Sequence, residues 1–237
     1  KYFYGNERAF IQLNMSEYQD KTGISKLLGA NAGYVGYEEG GLLSEFVRNN
    51  PNCVVLFDEV EKCDPKILDL LLHILDEGYA TDNLNRRIDF GNSIVIMTTN
   101  IGHTEKSKRT MGFGSEPQKD SEIYKKSLKK YLRPELLSRI DEILFFDDLG
   151  SADLLKIIEA ELQKVQDRLI DKKITLTVGA PVKKYIFNKI ENKNQNARNI
   201  KNTVKSLVQV PLSQFIVKNK NIEKISAKIV DKNLTFS

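Results

Sequence analysis

Two adjacent carboxylates, Asp58 and Glu59, close the apolar run Val54-Val55-Leu56-Phe57, and Val60-Glu61-Lys62 follows them. A short apolar run of this kind reads as a fully buried strand. Its carboxyl end is where open α/β sheets place their ligands. In a nucleotide hydrolase an aspartate there would hold Mg²⁺, and a neighbouring glutamate would orient or activate the attacking water. Asn100 ends a second apolar run, Ser93 to Thr99, on the same edge. A carboxamide donates and accepts, so Asn100 could position that water between Glu59 and a γ-phosphate. Alone, an Asn before Gly102 is a plain strand end; beside the acidic pair, the chemical reading is preferred.

Other candidates lie outside these runs. Ala32 to Gly41 sets glycines around Tyr34, with Val35, Gly36 and Tyr37 after it. An aromatic ring at the tip of a flexible loop can grip polypeptide by area and stacking without a defined sequence. A phosphate-cradling loop is the competing reading. Gly36 to Gly41 has its glycine spacing, but Leu42 stands where that motif needs lysine. Arg139, in the run Arg133 to Glu142, could project a guanidinium onto a phosphoryl group in a neighbouring subunit. Taken singly, either arginine reads as a surface ion-pair partner. Arg198 opens a later helix and could approach a nucleotide from its own chain.

These residues need a scaffold. Residues 9–15, 53–58, 93–100 and 142–146 read as strands separated by helical patterns, the signature of a mostly parallel α/β sheet. The strongest helix is Pro65 to Glu77, with Asp64 as N-cap and Gly78 closing it. Leu68, Leu71, Leu72 and Leu75 give it one apolar face, and His73 falls off that stripe as a surface residue. Residues 102–121 read as a mobile loop. Beyond Leu149 the character changes, which divides the chain into domains 1–149 and 150–237. The second starts with a helix capped by Ser151 and carrying Leu154, Leu155, Ile158, Leu162, Val165 and Leu169. An edge strand at 174–178, helices near 180–190 and 197–218 (the latter broken at Pro211) and a terminal hairpin complete a small α+β domain.

Composition excludes several classes. The 237 residues are 41% hydrophobic and 29% charged, as in ordinary soluble globular proteins. No run approaches the roughly 18 apolar residues of a membrane span. Cys53 and Cys63 form neither a zinc motif nor a disulfide framework and read as inert apolar residues. A net charge of +4 is too small to argue for a nucleic-acid partner.

The chain resembles the second, C-terminal ATPase module of the Clp family of AAA+ unfoldases. The resemblance runs end to end and is most specific at Asn14–Tyr18, Gly33–Gly41 and Leu56–Lys62. Thr81–Phe90, Thr99-Asn100 and Arg133–Glu142 extend it. It implies an AAA+ P-loop NTPase core with a small lid domain, ATP and Mg²⁺ as cofactors, and Asp58 and Glu59 as Walker B. Asp58 would be the Mg²⁺ ligand, Asn100 sensor 1, Arg139 the arginine finger and Arg198 sensor 2. Gly33, Tyr34, Val35 and Gly36 would form the pore loop of a homo-hexamer acting on unfolded or tagged proteins, and Thr81 to Arg87 a secondary pore loop. Met111, Gly112 and Phe113 resemble the tripeptide that docks on a ClpP-type peptidase. A ClpB-type disaggregase and a non-catalytic assembly domain are the alternatives.

Two departures qualify this. Asn196 replaces the family's glycine before Ala197-Arg198, and the family's Walker A loop, with the sheet's central strand, is expected upstream of Lys1. On that reading these residues alone bind ATP weakly or not at all. Members of this type occur in the bacterial cytoplasm and the plastid stroma.

Overall fold

The computed structural model describes residues 4, 8–30, 33, 40–102, 120–147, 149–191, 197–219, 222–231 and 233–237. Contacts divide the chain into two compact units, residues 1–145 and 146–237, each with its own core. In the first, the order is β1 (Phe10–Asn14), α1 (Gly23–Leu28), α2 (Leu42–Asn49), β2 (Val54–Asp58), α3 (Pro65–Glu77), β3 (Tyr79–Thr81), β4 (Arg87–Asp89), β5 (Ile94–Met97), α4 (Asp120–Tyr131) and α5 (Pro134–Ser138). β1, β2 and β5 form a parallel sheet in that order, as the alternating pattern predicts. The β1–β2 register runs from Phe10 opposite Val54 to Asn14 opposite Asp58. The polar ends of both strands therefore meet at one edge of the sheet.

β2 is less enclosed than its composition suggests. Val55 and Phe57 are fully buried on one face, whereas Val54 and Leu56 on the other stay partly exposed. α3 spans the predicted residues because its signals are local. Asp64 accepts the Lys66 N–H at 2.9 Å, Pro65 needs no partner in the first turn, and Gly78 ends the helix in a left-handed conformation at φ 72°. Its buried face is centred on Ile67, Leu71 and Ile74, rotated from the predicted stripe, with Leu68, Leu72 and Leu75 flanking it. His73 is exposed, its ring edge-on to Tyr79.

The fourth predicted strand does not form. Residues 142–147 have no regular secondary structure. A strand exists by pairing its N–H and C=O groups with a neighbour, and among the described residues no strand pairs with β5 on its far side. Phe145 stacks on Tyr124 of α4 instead, while Leu144 and Phe146 stand exposed. α4 occupies the end of the predicted 102–121 loop; residues 103–119 lie outside the described ones.

The second unit comprises α6 (Ser151–Ile170), β6 (Thr175–Val178), α7 (Ala180–Glu191), α8 (Ala197–Val204), a π-turn at Lys205–Gln209, α9 (Val210–Lys218), β7 (Lys224–Val230) and β8 (Asn233–Phe236). β6 pairs parallel with β7, and β7 pairs antiparallel with β8, so β6 is an edge strand as expected. Gly150, not Ser151, is the N-cap of α6, and Leu155 faces away from the buried line of Leu154, Ile158, Leu162, Val165 and Leu169. Pro211 does not break the helix. Val210 donates its N–H to Lys205 O across the widened π-turn, so the proline's missing donor falls where the regular ladder is already interrupted. Among the described residues no helix is long and apolar enough to cross a membrane.

Candidate active site

The end of β2 gathers the polar ends of β1 and β5. The Thr98 hydroxyl donates to Asp58 Oδ1, and Gln12 Nε2 donates to Asp58 Oδ2 at 3.0 Å. The same threonine oxygen accepts the Glu59 N–H at 3.0 Å. Thr98 also donates its N–H to Phe57 O at 2.9 Å, and its carbonyl accepts the Val60 N–H at 3.0 Å. One residue thus clasps the turn that follows the strand. The clasp matters because Glu59 is left-handed, φ 59° and ψ 52°. For a residue with a Cβ, that conformation costs on the order of 1–2 kcal/mol and persists only where surroundings impose it.

The Glu59 carboxylate is shared. Ser16 Oγ donates to Oε2 at 3.0 Å, Lys62 Nζ reaches the same oxygen at 2.7 Å, and Asn100 Nδ2 makes a long contact of 3.4 Å to Oε1. The Lys62 ammonium, then the Ser16 hydroxyl, hold the Glu59 carboxyl below its ordinary pKa, against the opposing charge of Asp58. Lys62 is raised in return, chiefly by Glu59. Asn100 is placed by its backbone, whose N–H donates to Glu61 Oε1 at 3.2 Å. The structure therefore brings together Asp58, Glu59 and Asn100.

The other predicted residues make other contacts within the first unit, belong to the second unit, or fall outside the described residues. Arg139 pairs with Asp76 near the end of α3, and Arg133 pairs with Asp69 at 2.6 Å; neither makes an ion pair with Asp58 or Glu59. Arg198 is exposed in the first turn of α8, in the second unit. Gly33 has φ 94°, and among the described residues none comes within 4 Å of where its Cβ would be. Tyr34, Val35 and Gly36, like Met111, Gly112 and Phe113, fall outside the described residues. Gln12, Ser16, Lys62 and Thr98 were not singled out from sequence. A usable signal existed for two pairs: Gln12 and Asn14, and Thr98 and Asn100, are polar residues two apart at strand ends, hence on one face.

The donor set can be tested against the implied metal. Among the described residues no group of three or more His, Cys, Asp or Glu forms a cage. Magnesium does not need one: it keeps several waters and takes one or two carboxylates plus substrate phosphates. Asp58, with oxygen donors beside it, fits. A cavity of about 250 Å³ lined by Cys63, Leu68, Leu72, Tyr131 and Leu136 contains neither carboxylate of the pair.

Comparison with known proteins converges on one family. Residues 1–143 match the AAA domain (Cdc48 subfamily), and residues 149–230 match the C-terminal D2-small domain of ClpB. The chain is 39% identical to the chaperone protein ClpB of Prochlorococcus marinus, over 100% of this chain and 28% of that protein. It is 36% identical to a probable ATP-dependent Clp protease ATP-binding subunit of Chlamydia pneumoniae, over 98% of this chain and 28% of that protein. With the chloroplastic chaperone ClpD of Arabidopsis thaliana the identity is 39%, over 90% and 24%. A closed-state electron cryomicroscopy reconstruction of Hsp104 with ATPγS and FITC-casein superimposes with a TM-score of 0.85 and 30% identity, covering 99% of this chain and 41% of that one. The chain thus spans about a quarter of the length of these curated relatives. Two consecutive domain matches over an α/β unit with Asp-Glu at the end of β2 place it: this chain belongs to the AAA ATPases, in the domain pairing of the C-terminal ATPase module of Clp proteins.

Proposed function

We propose that this chain is the ATP-hydrolysing module of a Clp-type protein unfoldase that threads polypeptide through the pore of a homo-hexamer. The observation that carries the reading is the junction after β2, where Asp58 and the left-handed Glu59 are held by Thr98, with Asn100 at the second carboxylate. Asp58 would hold Mg²⁺, which supplies charge neutralisation at the phosphates of ATP. Glu59 orients and deprotonates the attacking water, and Asn100 fixes its position. Arg139 would exchange Asp76 for the γ-phosphate of the adjacent subunit, and Arg198 would close over the nucleotide from the second unit.

Tyr34 grips substrate in this account. Replacing it with alanine in the intact protein is expected to lower unfolding of a tagged fluorescent protein by about tenfold or more, the effect of losing an aromatic anchor. ATP turnover should stay within about twofold. Equal loss of both activities would contradict the assignment.

Met111-Gly112-Phe113 supports delivery to a ClpP-type peptidase ring, an apolar anchor for a partner pocket. The ClpB-type D2-small match favours a second reading, a peptidase-independent disaggregase. Deleting residues 110–114 separates the two: loss of peptidase-coupled degradation with intact ATP hydrolysis supports docking, and unchanged degradation sinks it. The relatives' sources accord with bacterial cytoplasm or plastid stroma.

A further inference from the structure

The two stems that flank the Tyr34 segment are tied to one turn. That turn joins β3 to β4 and is built around Asp82, 4% exposed. Asp82 Oδ1 accepts the N–H groups of Leu84 at 2.9 Å and Arg86 at 2.8 Å, and Oδ2 accepts Arg86 Nε at 2.6 Å. Burial alone would push the Asp82 carboxyl up, but the Arg86 N–H and guanidinium outweigh it and hold it low. Both Asp82 oxygens are thus engaged within the turn.

From it, contacts reach both stems. Asn83 donates its backbone N–H to Leu28 O at 3.2 Å and its side-chain Nδ2 to Ala30 O at 2.7 Å, on the stem entering the segment. Arg86 uses its second nitrogen on Glu45 Oε1 at 2.6 Å, on the stem leaving it. The stems also touch each other, since a Cβ on Gly41 would fall 2.2 Å from Leu27 O, and the entering stem meets the turn, since one on Gly29 would fall 2.1 Å from Asn83 Oδ1. Gly29 has φ 104° as well, so any side chain there would be strained and would push the Asn83 amide aside. The far side of the hairpin is pinned by Tyr79, whose ring carries Arg87 at 3.9 Å and His73 at 5.2 Å.

We propose that the Asp82–Arg86 turn is a bracket that makes both stems of the Tyr34 segment move as one body, with Asn83 and Arg86 as its positioning residues. The proposal rests on the reading of Tyr34 as the substrate-gripping residue. A stroke delivered through the sheet reaches a loop only if its two ends move together; a loop free at either stem yields instead of pulling. Arg86 suits the task because its planar fork presents separate nitrogens to two carboxylates in a fixed geometry, whereas a lysine would hold both through one freely rotating ammonium.

The test compares Asn83→Ala and Arg86→Lys in the intact protein, with Glu45→Gln as a milder variant that leaves Asp82 paired. Amide exchange at Gly29, Gly41 and Glu45 is expected to accelerate at both stems in each variant, including the stem whose own contact to the turn is left intact. In Glu45→Gln, which lies outside the Thr81 to Arg87 segment, unfolding events per ATP should fall by about threefold or more, within the range of coupling mutations, with ATP turnover within about twofold. Exchange confined to the stem whose contact was removed, or unfolding that falls only in proportion to ATP turnover, overturns the bracket. A wild-type protein that hydrolyses ATP but unfolds nothing sinks the function proposed above, and exchange at the two stems then decides the bracket alone.

Discussion

Glu59 is asked to do two things that its sequence position alone would not permit. It must adopt a left-handed backbone despite its Cβ, and it must keep a charged carboxylate beside Asp58. Thr98 answers the first demand through its hydroxyl and carbonyl; Lys62 and Ser16 answer the second. This explains what could and could not be read from the chain. Asp58, Glu59 and Asn100 stand out because each ends an apolar run. Their partners act through parallel register and a turn three residues long, so they surface only when β1 and β5 flank β2. Cys63 makes a separate prediction at this scale. Burial raises its thiol to about 11, and its Sγ lies 3.2 Å from Val60 O. The proton therefore stays on until pH rises through that value. At pH 8 the native thiol should alkylate roughly two orders of magnitude more slowly than a free cysteine with its pKa near 8.5, and denaturant should abolish the difference. Rapid labelling of the folded protein at pH 8 would contradict this.

Elements fall into those specified locally and those specified by neighbours. α3 is of the first kind, with its cap, its Pro65 and its Gly78 all in sequence. Replacing Asp64 with alanine is expected to cost about 1 kcal/mol in denaturant unfolding. Truncating the fully buried Leu71 to alanine is expected to cost about 2–5 kcal/mol. A larger penalty at the cap than in the core would refute that ordering. Residues 142–147 are of the second kind. Their composition reads as a strand, yet composition supplies no hydrogen-bond partner, and Phe145 packs on Tyr124 instead. The α3 face illustrates a subtler limit: four leucines mark a stripe, but of these only Leu71 is fully buried, and Ile67 and Ile74 complete the buried line beside it. Pro211 reads as a helix break only while the helix is assumed to be regular throughout. The π-turn before it removes the conflict.

At the scale of the molecule, the α/β class and the parallel sheet follow from alternating strands and helices, and two family domains cover nearly all of the chain. The first unit carries the carboxylates, the asparagine and the bracketed stems; the second carries Arg198 on α8. The proposed cycle makes the β2 junction the origin of force and the bracket its outlet. The origin is tested most directly by Glu59→Gln in the intact protein, with nucleotide binding and steady-state hydrolysis measured side by side. Glutamine keeps the shape and the Ser16 contact but cannot take a proton from water. The account predicts ATP binding within about twofold of wild type and hydrolysis lower by about 10²- to 10⁴-fold. Hydrolysis at the wild-type rate would contradict it.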